Sequence, residues 1–386
     1  MQSLITCVLV IAFILPCFCY ESNFRTNSAY SVIDYGAKGD GKTDDSQAFV
    51  KAFQSACKAQ GTASLVIPSN HVFFVSPLTL KGPCSSSLQI QLQGKIVAPS
   101  KSAFGQYRYT WILITNINGL TVNGNGVLDG SGSTWWPCKN CQRPSVISFN
   151  SCNQLTVSYL NIVNSPRGHL SISNCQGAHF SYISITAPGS SPNTDGIDIS
   201  DSKNIFITYS KIASGDDCIA VGGGCSYINI SGIDCGPGHG ISIGSLGKHY
   251  DTVSDVHIQN CNFTGTTNGA RIKTFSDGSG YAKRITFEKI TLSQARNPII
   301  INNFYNGQDA IQNGVQVRDV TFREFKGTCT DDYAIDLNCG PTGCVDIVLD
   351  QNNIVSSEPG KKVLCSCNNA HGKATNNVPD CSCLKP

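Results

Sequence analysis

Five short runs, Ile147-Ser-Phe-Asn, Leu170-Ser-Ile-Ser, Ile197-Asp-Ile-Ser, Ile219-Ala-Val-Gly and Ile241-Ser-Ile-Gly, recur at intervals of 23, 27, 22 and 22 residues. A unit of that size cannot bury an apolar face of its own, so such units are stable only when stacked into a solenoid with a continuous core. From about residue 85 onward, alternating runs of Val, Ile and Thr are separated by Gly, Asn, Ser and Asp, and helix-length amphipathic stretches are scarce. A leucine-rich repeat has similar length, but no L-x-x-L-x-L pattern with a fixed Asn occurs, and each unit carries two or three β-rich runs, as in Leu155-Thr-Val-Ser followed by Leu160-Asn-Ile-Val. The pattern predicts an all-β chain folded as a right-handed parallel β-helix. Equivalent positions of successive coils then lie about 4.8 Å apart.

A solenoid needs its ends covered. Asp44 to Cys57 reads as a helix, with Thr43 or Asp44 to cap it and Ala48, Phe49, Ala52, Phe53 and Ala56 as its apolar stripe, and is expected to close the first coil. The cysteine-rich tail after Val363 is expected to close the last. Residues Leu4 to Cys19 are almost wholly apolar, too short for a bilayer span, and read as a secretory signal peptide cleaved after Cys19, although no Lys or Arg precedes them. Residues 20–386 are then one solenoid domain. The expected product is secreted to the extracellular space or cell wall, monomeric, and free of any later membrane span.

Removing residues 1–19 leaves 17 of the 20 cysteines in an oxidising compartment, where disulfides are expected and an odd total leaves at least one free thiol. The close spacings Cys138/Cys141, Cys218/Cys225/Cys235, Cys339/Cys344 and Cys365/Cys367 with Cys381/Cys383 also fit zinc, but in a secreted chain they read as covalent framework, so no metal or other cofactor is expected. The net charge of +2 argues against nucleic-acid binding by bulk charge. Attraction for an anion has to be local.

Gly36-Ala-Lys-Gly-Asp-Gly-Lys-Thr43 matches the phosphate-binding G-x-x-x-x-G-K-T pattern. The chain lacks the alternating strands and helices that such a loop serves, so this stretch reads as a Gly-rich turn into the capping helix.

Four polar islands interrupt the apolar repeat: Asn193-Thr-Asp-Gly196, Gly215-Asp-Asp-Cys218, Gly238-His-Gly240 and Arg271-Ile-Lys273. They recur at a similar phase of the repeat, so folding gathers Asp195, Asp216, Asp217, His239, Arg271 and Lys273 on one face. Glycoside hydrolysis needs two carboxyl groups, one protonated and one ionised, and crowding three makes full ionisation unfavourable, so that one keeps its proton to higher pH. His239, between glycines, is placed to hydrogen-bond a carboxylate and tune it, while His71, His169, His179, His249, His257 and His371 read as structural. Arg271 and Lys273, one residue apart, project to the same side of a strand and suit a uronic acid. Asp216 and Asp217 are adjacent and would face opposite sides of a regular strand, so both can serve only if the chain bends at Gly215.

In this order, NTDG, GDDC, CGPGHG and RIK resemble the polygalacturonases, the pectin-degrading glycoside hydrolases, and their plant members above all. Val32-Ile-Asp-Tyr-Gly-Ala-Lys-Gly-Asp-Gly-Lys-Thr-Asp44 is similar to the family's opening, and Asp129-Gly-Ser-Gly-Ser-Thr-Trp-Trp136 and Ser191-Pro-Asn-Thr-Asp-Gly196 to later landmarks, so that roughly residues 30–350 are covered. The resemblance implies hydrolysis of α-1,4 linkages in polygalacturonate with inversion and without metal. It implies Asp216 as general acid, Asp195 and Asp217 as activators of water, His239 as support for the acid, and Arg271 and Lys273 as ligands of the substrate carboxylate. It further implies Tyr305 as a holder of the sugar, Asn193 as a partner behind the site, and a Cys218–Cys235 disulfide beneath it. Two departures stand out: Asp198 occupies a position where many plant relatives have His, and Asn306-Gly-Gln-Asp309 lacks a cysteine found there in many of them.

On the same scaffold a rhamnogalacturonan or xylogalacturonan hydrolase is the alternative; a pectate lyase would need calcium ligands and an arginine base, and a non-catalytic, allergen-like wall protein would more readily have lost one of the acids. Asn229-Ile-Ser and Asn262-Phe-Thr are glycosylation acceptors.

Overall fold

The computed structural model describes residues 27–386 apart from 107, 139, 306 and 308–313. The expected signal peptide, with Cys7, Cys17 and Cys19, lies outside the described residues, as do Asn306, Gln308 and Asp309 of the divergent loop. The described chain is a right-handed parallel β-helix. One sheet has 11 strands and runs the length of the solenoid from Leu78–Lys81 to Leu364–Asn368; a 22-stranded sheet wraps the remaining faces.

The register bears out the repeat residue by residue. In the 11-stranded sheet Ile147 pairs with Leu170, Leu170 with Ile197, Ile197 with Ile219 and Ile219 with Ile241, and the column continues through Ala270, Ile299 and Ile335. Two positions further on, Ile114, Phe149, Ile172, Ile199, Val221, Ile243, Ile272 and Ile301 form a second inward column, and members of both are essentially inaccessible to solvent. Alternation then turns the intervening residues outward, so Ser171, Asp198, Ala220, Ser242 and Arg271 share one outer column.

The corners between sheets use left-handed backbone, which costs a non-glycine residue about 1 kcal/mol. At one corner Tyr159, Tyr182 and Tyr209 all have φ between 49 and 58°, and consecutive rings stack with centroids 4.9 and 5.5 Å apart. Stacking between coils offsets the backbone penalty there, and tyrosine is not a residue that turn propensity would have chosen.

The capping helix is Ser46–Lys58, with Ala48, Phe49, Ala52, Phe53 and Ala56 buried as expected and Phe49 set edge-on to Phe73 at 5.4 Å. Its N-cap differs from the expectation. Asp45 occupies the cap position without capping through its side chain; Asp44 Oδ1 accepts from the Ser46 N–H at 3.0 Å, while the Thr43 hydroxyl is turned away to Asp40. Asp45 instead reaches back to accept from the Lys38 and Gly39 N–H groups at 2.6 and 3.1 Å, and Asp40 accepts from those of Lys42 and Thr43 at 2.9 and 2.8 Å. The amides that a phosphate-binding loop would offer to nucleotide are thus occupied by the chain's own carboxylates, and the four donors Asp40 attracts lower its pKa to about 2.

Disulfides join Cys57–Cys84, Cys138–Cys141, Cys218–Cys235, Cys339–Cys344, Cys365–Cys381 and Cys367–Cys383. Cys152, Cys175, Cys225, Cys261 and Cys329 are buried free thiols, more than the single one that parity required. The segment after Val363 first adds a rung, Leu364–Asn368, before its last residues cover the end with Cys381 and Leu384 buried.

We expect Asp45→Ala to lower stability by roughly 1–3 kcal/mol through two orphaned amides, read as a fall in the thermal unfolding midpoint. Added ATP should leave that midpoint unchanged in both proteins, and an ATP-dependent rise would reinstate the phosphate loop.

Candidate active site

Three loops that enter the 11-stranded sheet and one strand within it converge. The loops precede Ile197–Ser200, Ile219–Val221 and Ile241–Leu246, and the strand is Asn268–Thr274. Backbone bonds lock them in register: Gly196 N–H to Asp217 O, Cys218 N–H to Gly240 O, and His239 N–H to Asp216 O, each 2.8 Å. Glycine is required at two contacts. A Cβ at Gly215 would strike the Ser191 backbone, and one at Gly240, where φ is +78°, would strike the carbonyls of Asn268 and Gly269. The Cys218–Cys235 disulfide joins the Asp216 and Asp217 coil to the coil carrying His239.

The chain does bend at Gly215 and Asp216, so both adjacent carboxylates reach the cluster. Asp217 is completely buried. Its Oδ1 accepts from Arg271 Nη2 at 2.5 Å and from the Ser242 hydroxyl at 2.9 Å, and its Oδ2 accepts from Lys273 Nζ at 2.7 Å. Ser242 Oγ in turn accepts from Arg271 Nε at 2.9 Å. Arg271 and Lys273 are therefore not a solvated basic face. They pair with a fully buried carboxylate, and removing either would leave it partly uncompensated. Asp216 accepts from His239 Nδ1 at 2.9 Å, from the Asp217 N–H at 2.9 Å and, at 3.4 Å, from the Asn193 amide.

Atoms of Asp216, Asp217 and His239 lie within 4.8 Å of one another, close enough to ligate an ion. The donor set does not fit one: Asp217 already holds two cations, and the His239 nitrogen facing the cluster is committed to Asp216. Cys365, Cys367 and Cys383, also grouped, are tied up in disulfides.

Burial and crowding push two of the clustered carboxyls up, and Asp216 is not one of them. Burial, followed by repulsion from Asp198, Asp216 and Asp217, pushes Asp195 up to about 9. Burial and Asp217 likewise raise Asp198 to about 7, against the attraction of Arg167. Burial also acts to raise Asp216, yet the hydrogen bond and attraction of His239, the Asp217 N–H and Lys273 outweigh it and leave its carboxyl below the usual range. Asp198, on the outer column beside Ala220, is thus an electrostatic member of the cluster as well as a residue of the cleft wall.

Tyr305 stands at the cleft with its ring 5.2 Å from Lys273 Nζ and edge-on to Phe275 at 5.9 Å, and is 44% exposed. His169, read as structural, is fully buried against the Asp195 carbonyl and lowered to about 4 by burial, which keeps it neutral. His257 is tied to Glu288 on the outer sheet at 3.0 Å. Arg143 and Arg167 are lone polar residues with no motif around them, and Ser242 sits inside the repeat run Ile241-Ser-Ile-Gly, where alternation alone gives it no role; only the coil partner marks each of the three.

A β-helix with an acidic, cation-braced cleft on its 11-stranded sheet defines a polysaccharide-processing class of protein. Residues 57–383 match Glycosyl hydrolases family 28, and the chain belongs to that family as a glycoside hydrolase. A probable polygalacturonase of Arabidopsis thaliana is 46% identical over 374 residues, covering 94% of this chain and 82% of the relative. A polygalacturonase of Cryptomeria japonica is 40% identical, with 92% and 73% covered. Among solved structures, an endo-xylogalacturonan hydrolase from Aspergillus tubingensis superposes with a TM-score of 0.79 at 25% identity, over 90% of this chain and 100% of that one. An exopolygalacturonase from Thermotoga maritima shares the fold with a TM-score of 0.79 at 21% identity, over 90% and 91%.

A group whose folded pKa is raised is stabilising below its unfolded value and loses that contribution as pH rises towards the folded one. With Asp195 near 9 against an ordinary 3.8, we expect the unfolding midpoint to fall between about pH 4 and pH 9. Asp195→Asn should flatten that slope and melt higher than the parent at pH 7. An unchanged slope would mean that Asp195 ionises normally.

Proposed function

We propose that this chain is a secreted polygalacturonase that hydrolyses the α-1,4-galacturonosyl linkages of pectin and polygalacturonate with inversion. The observation that carries this reading is the pairing of two cations, Arg271 and Lys273, with a three-carboxylate cluster on one cleft face. Acid and base chemistry thereby stands beside groups that can take a uronate. Kinship with named polygalacturonases over more than nine-tenths of the chain supports it.

In this reading Asp216 protonates the glycosidic oxygen as the C1–O bond breaks, and a water activated by Asp195 and Asp217 attacks C1 from the opposite face. His239 holds Asp216, Asn193 braces it, and Tyr305 packs against the sugar. Asp216 must then be the protonated carboxyl at the moment of reaction. His239 above all, with the Asp217 N–H and Lys273, acts against protonation of Asp216 in the empty cleft, and a substrate carboxylate at Lys273 raises Asp216 and Asp195 alike, because Lys273 lowers both. Asp195 acts in its ionised form to receive a proton from water. Asp216, held below the usual carboxyl range in the empty cleft, carries the acid's proton only under acidic conditions, so the rate should fall as pH rises past neutrality.

The apolar segment 4–19 and the six disulfides support export to the wall. Net charge +2 gives no reason for a nucleic-acid partner, and the expected working form is a monomer on its polysaccharide. Asn229 and Asn262 lie on the 22-stranded sheet, where N-glycans would leave the cleft sheet clear.

Reducing ends released from de-esterified polygalacturonate without calcium test the reading, with product lengths resolving exo from endo action. Asp216→Asn should lower kcat by at least about 100-fold while leaving the unfolding midpoint near that of the parent; substantial residual turnover would remove Asp216 from the acid role. The likeness to an endo-xylogalacturonan hydrolase favours one second reading. Release from xylose-substituted chains alone would establish it, and no release from either substrate by folded protein would point to a non-catalytic wall protein.

A further inference from the structure

We propose that Arg143 is a positioning residue that sets the orientation of the Asn193 amide, and through it the protonation of Asp216. This rests on the reading of Asp216 as the general acid and adds a residue that no motif marks.

Arg143 is only 9% exposed, although no carboxylate is paired with it among the described residues. A buried guanidinium needs acceptors, and it has two of them, both from the first island: the Pro192 carbonyl, reached by Nη1, and Asn193 Oδ1, reached by Nη2, each at 2.7 Å. An isolated asparagine could present either its oxygen or its NH2 to a neighbour. A guanidinium has no acceptor, so beside Arg143 only the amide oxygen can face it. The NH2 is thereby forced towards the other side, where it meets Asp216 Oδ2 at 3.4 Å. Asn193 has φ +53°, a left-handed conformation that points its short side chain between the two partners.

The consequence is chemical. A donor stabilises the ionised form of a carboxylate, whereas the flipped amide would present its oxygen and favour the protonated form. Arg143 therefore biases Asp216 towards ionisation in the empty cleft and keeps it from holding its proton before substrate arrives. The groups facing Asp216 are His239, the Asp217 N–H, Asn193 and Lys273, with Asp195 and Asp198 as like charges nearby. Of these, the Asp217 N–H and Lys273 are donors only, whereas the Asn193 amide reverses its polarity by a side-chain flip alone.

The test follows the Asp216 carboxyl by 13C NMR titration in aspartate-labelled protein, its signal assigned by loss in Asp216→Asn. Activity is not needed for this readout, so an inactive parent would sink the proposed function and still leave the relay testable. Arg143→Met and Asn193→Gly should each raise the Asp216 midpoint, and in active protein each should carry the alkaline limb of kcat/KM upward by the same amount, with kcat altered more than KM. Glycine suits the left-handed backbone at 193, so that variant serves if Arg143→Met does not fold. Arg143→Lys keeps a donor-only cation at this position and should leave the Asp216 midpoint closer to the parent's than Arg143→Met does. The double variant separates the relay from bare charge: with Asn193 already gone, Arg143→Met should shift the midpoint no further. An unmoved midpoint in folded Asn193→Gly, or an Arg143→Met shift of equal size in both backgrounds, overturns the proposal.

Discussion

In-register pairing of short parallel strands, one coil directly above another, is the constraint on which the rest of the structure depends. Each coil pairs with its neighbours on every face, and each inward side chain sits on its counterpart above and below, as Ile197 sits between Leu170 and Ile219. No coil could bury these residues alone. The same stacking that builds the core therefore decides what gathers outside it. Ser171, Asp198, Ser242 and Arg271 are tens of residues apart in the chain yet stand in one column of the cleft.

That columnar order explains the electrostatics. Charges a single rung apart are strongly coupled, and burial beneath the cleft loops removes the water that would screen them. Two cations from a strand two rungs away and a buried hydroxyl bind both oxygens of Asp217. Burial and neighbouring carboxylates raise Asp195, whereas His239 outweighs burial at Asp216 and holds it down. Three aspartates from two successive islands thus occupy three electrostatic environments. The difference lies in which rung meets which. A carboxyl pushed up and a carboxyl held down thus stand side by side in one cleft.

The ends and corners follow the same economy of contacts. A helix with an apolar stripe closes the first coil, and its preceding loop spends its amides on Asp40 and Asp45, which is why a sequence resembling a phosphate loop has no anion to seek. At the corner lined by Tyr159, Tyr182 and Tyr209, ring stacking compensates for left-handed backbone.

Much of this was legible in the chain itself. The period of the apolar runs gave the solenoid and the correct alignment from Ile147 to Ile241, because burial repeats wherever the coil repeats. The four islands marked Asp195, Asp216, Asp217, His239, Arg271 and Lys273, because chemistry-bearing residues placed at one phase of a repeat must meet. Partnership, however, is a property of space. Nothing local distinguishes Asp195 from Asp216, or announces that Asp44 rather than Thr43 holds the first turn of the helix. Nor does any motif surround Arg143, whose role exists only because a coil some fifty residues later brings Asn193 against it. Period and residue type determined the fold and the roster of the site; the distances between rungs alone decided which carboxyl is pushed up and which is held down, since that depends on burial and neighbouring charge at a few ångströms.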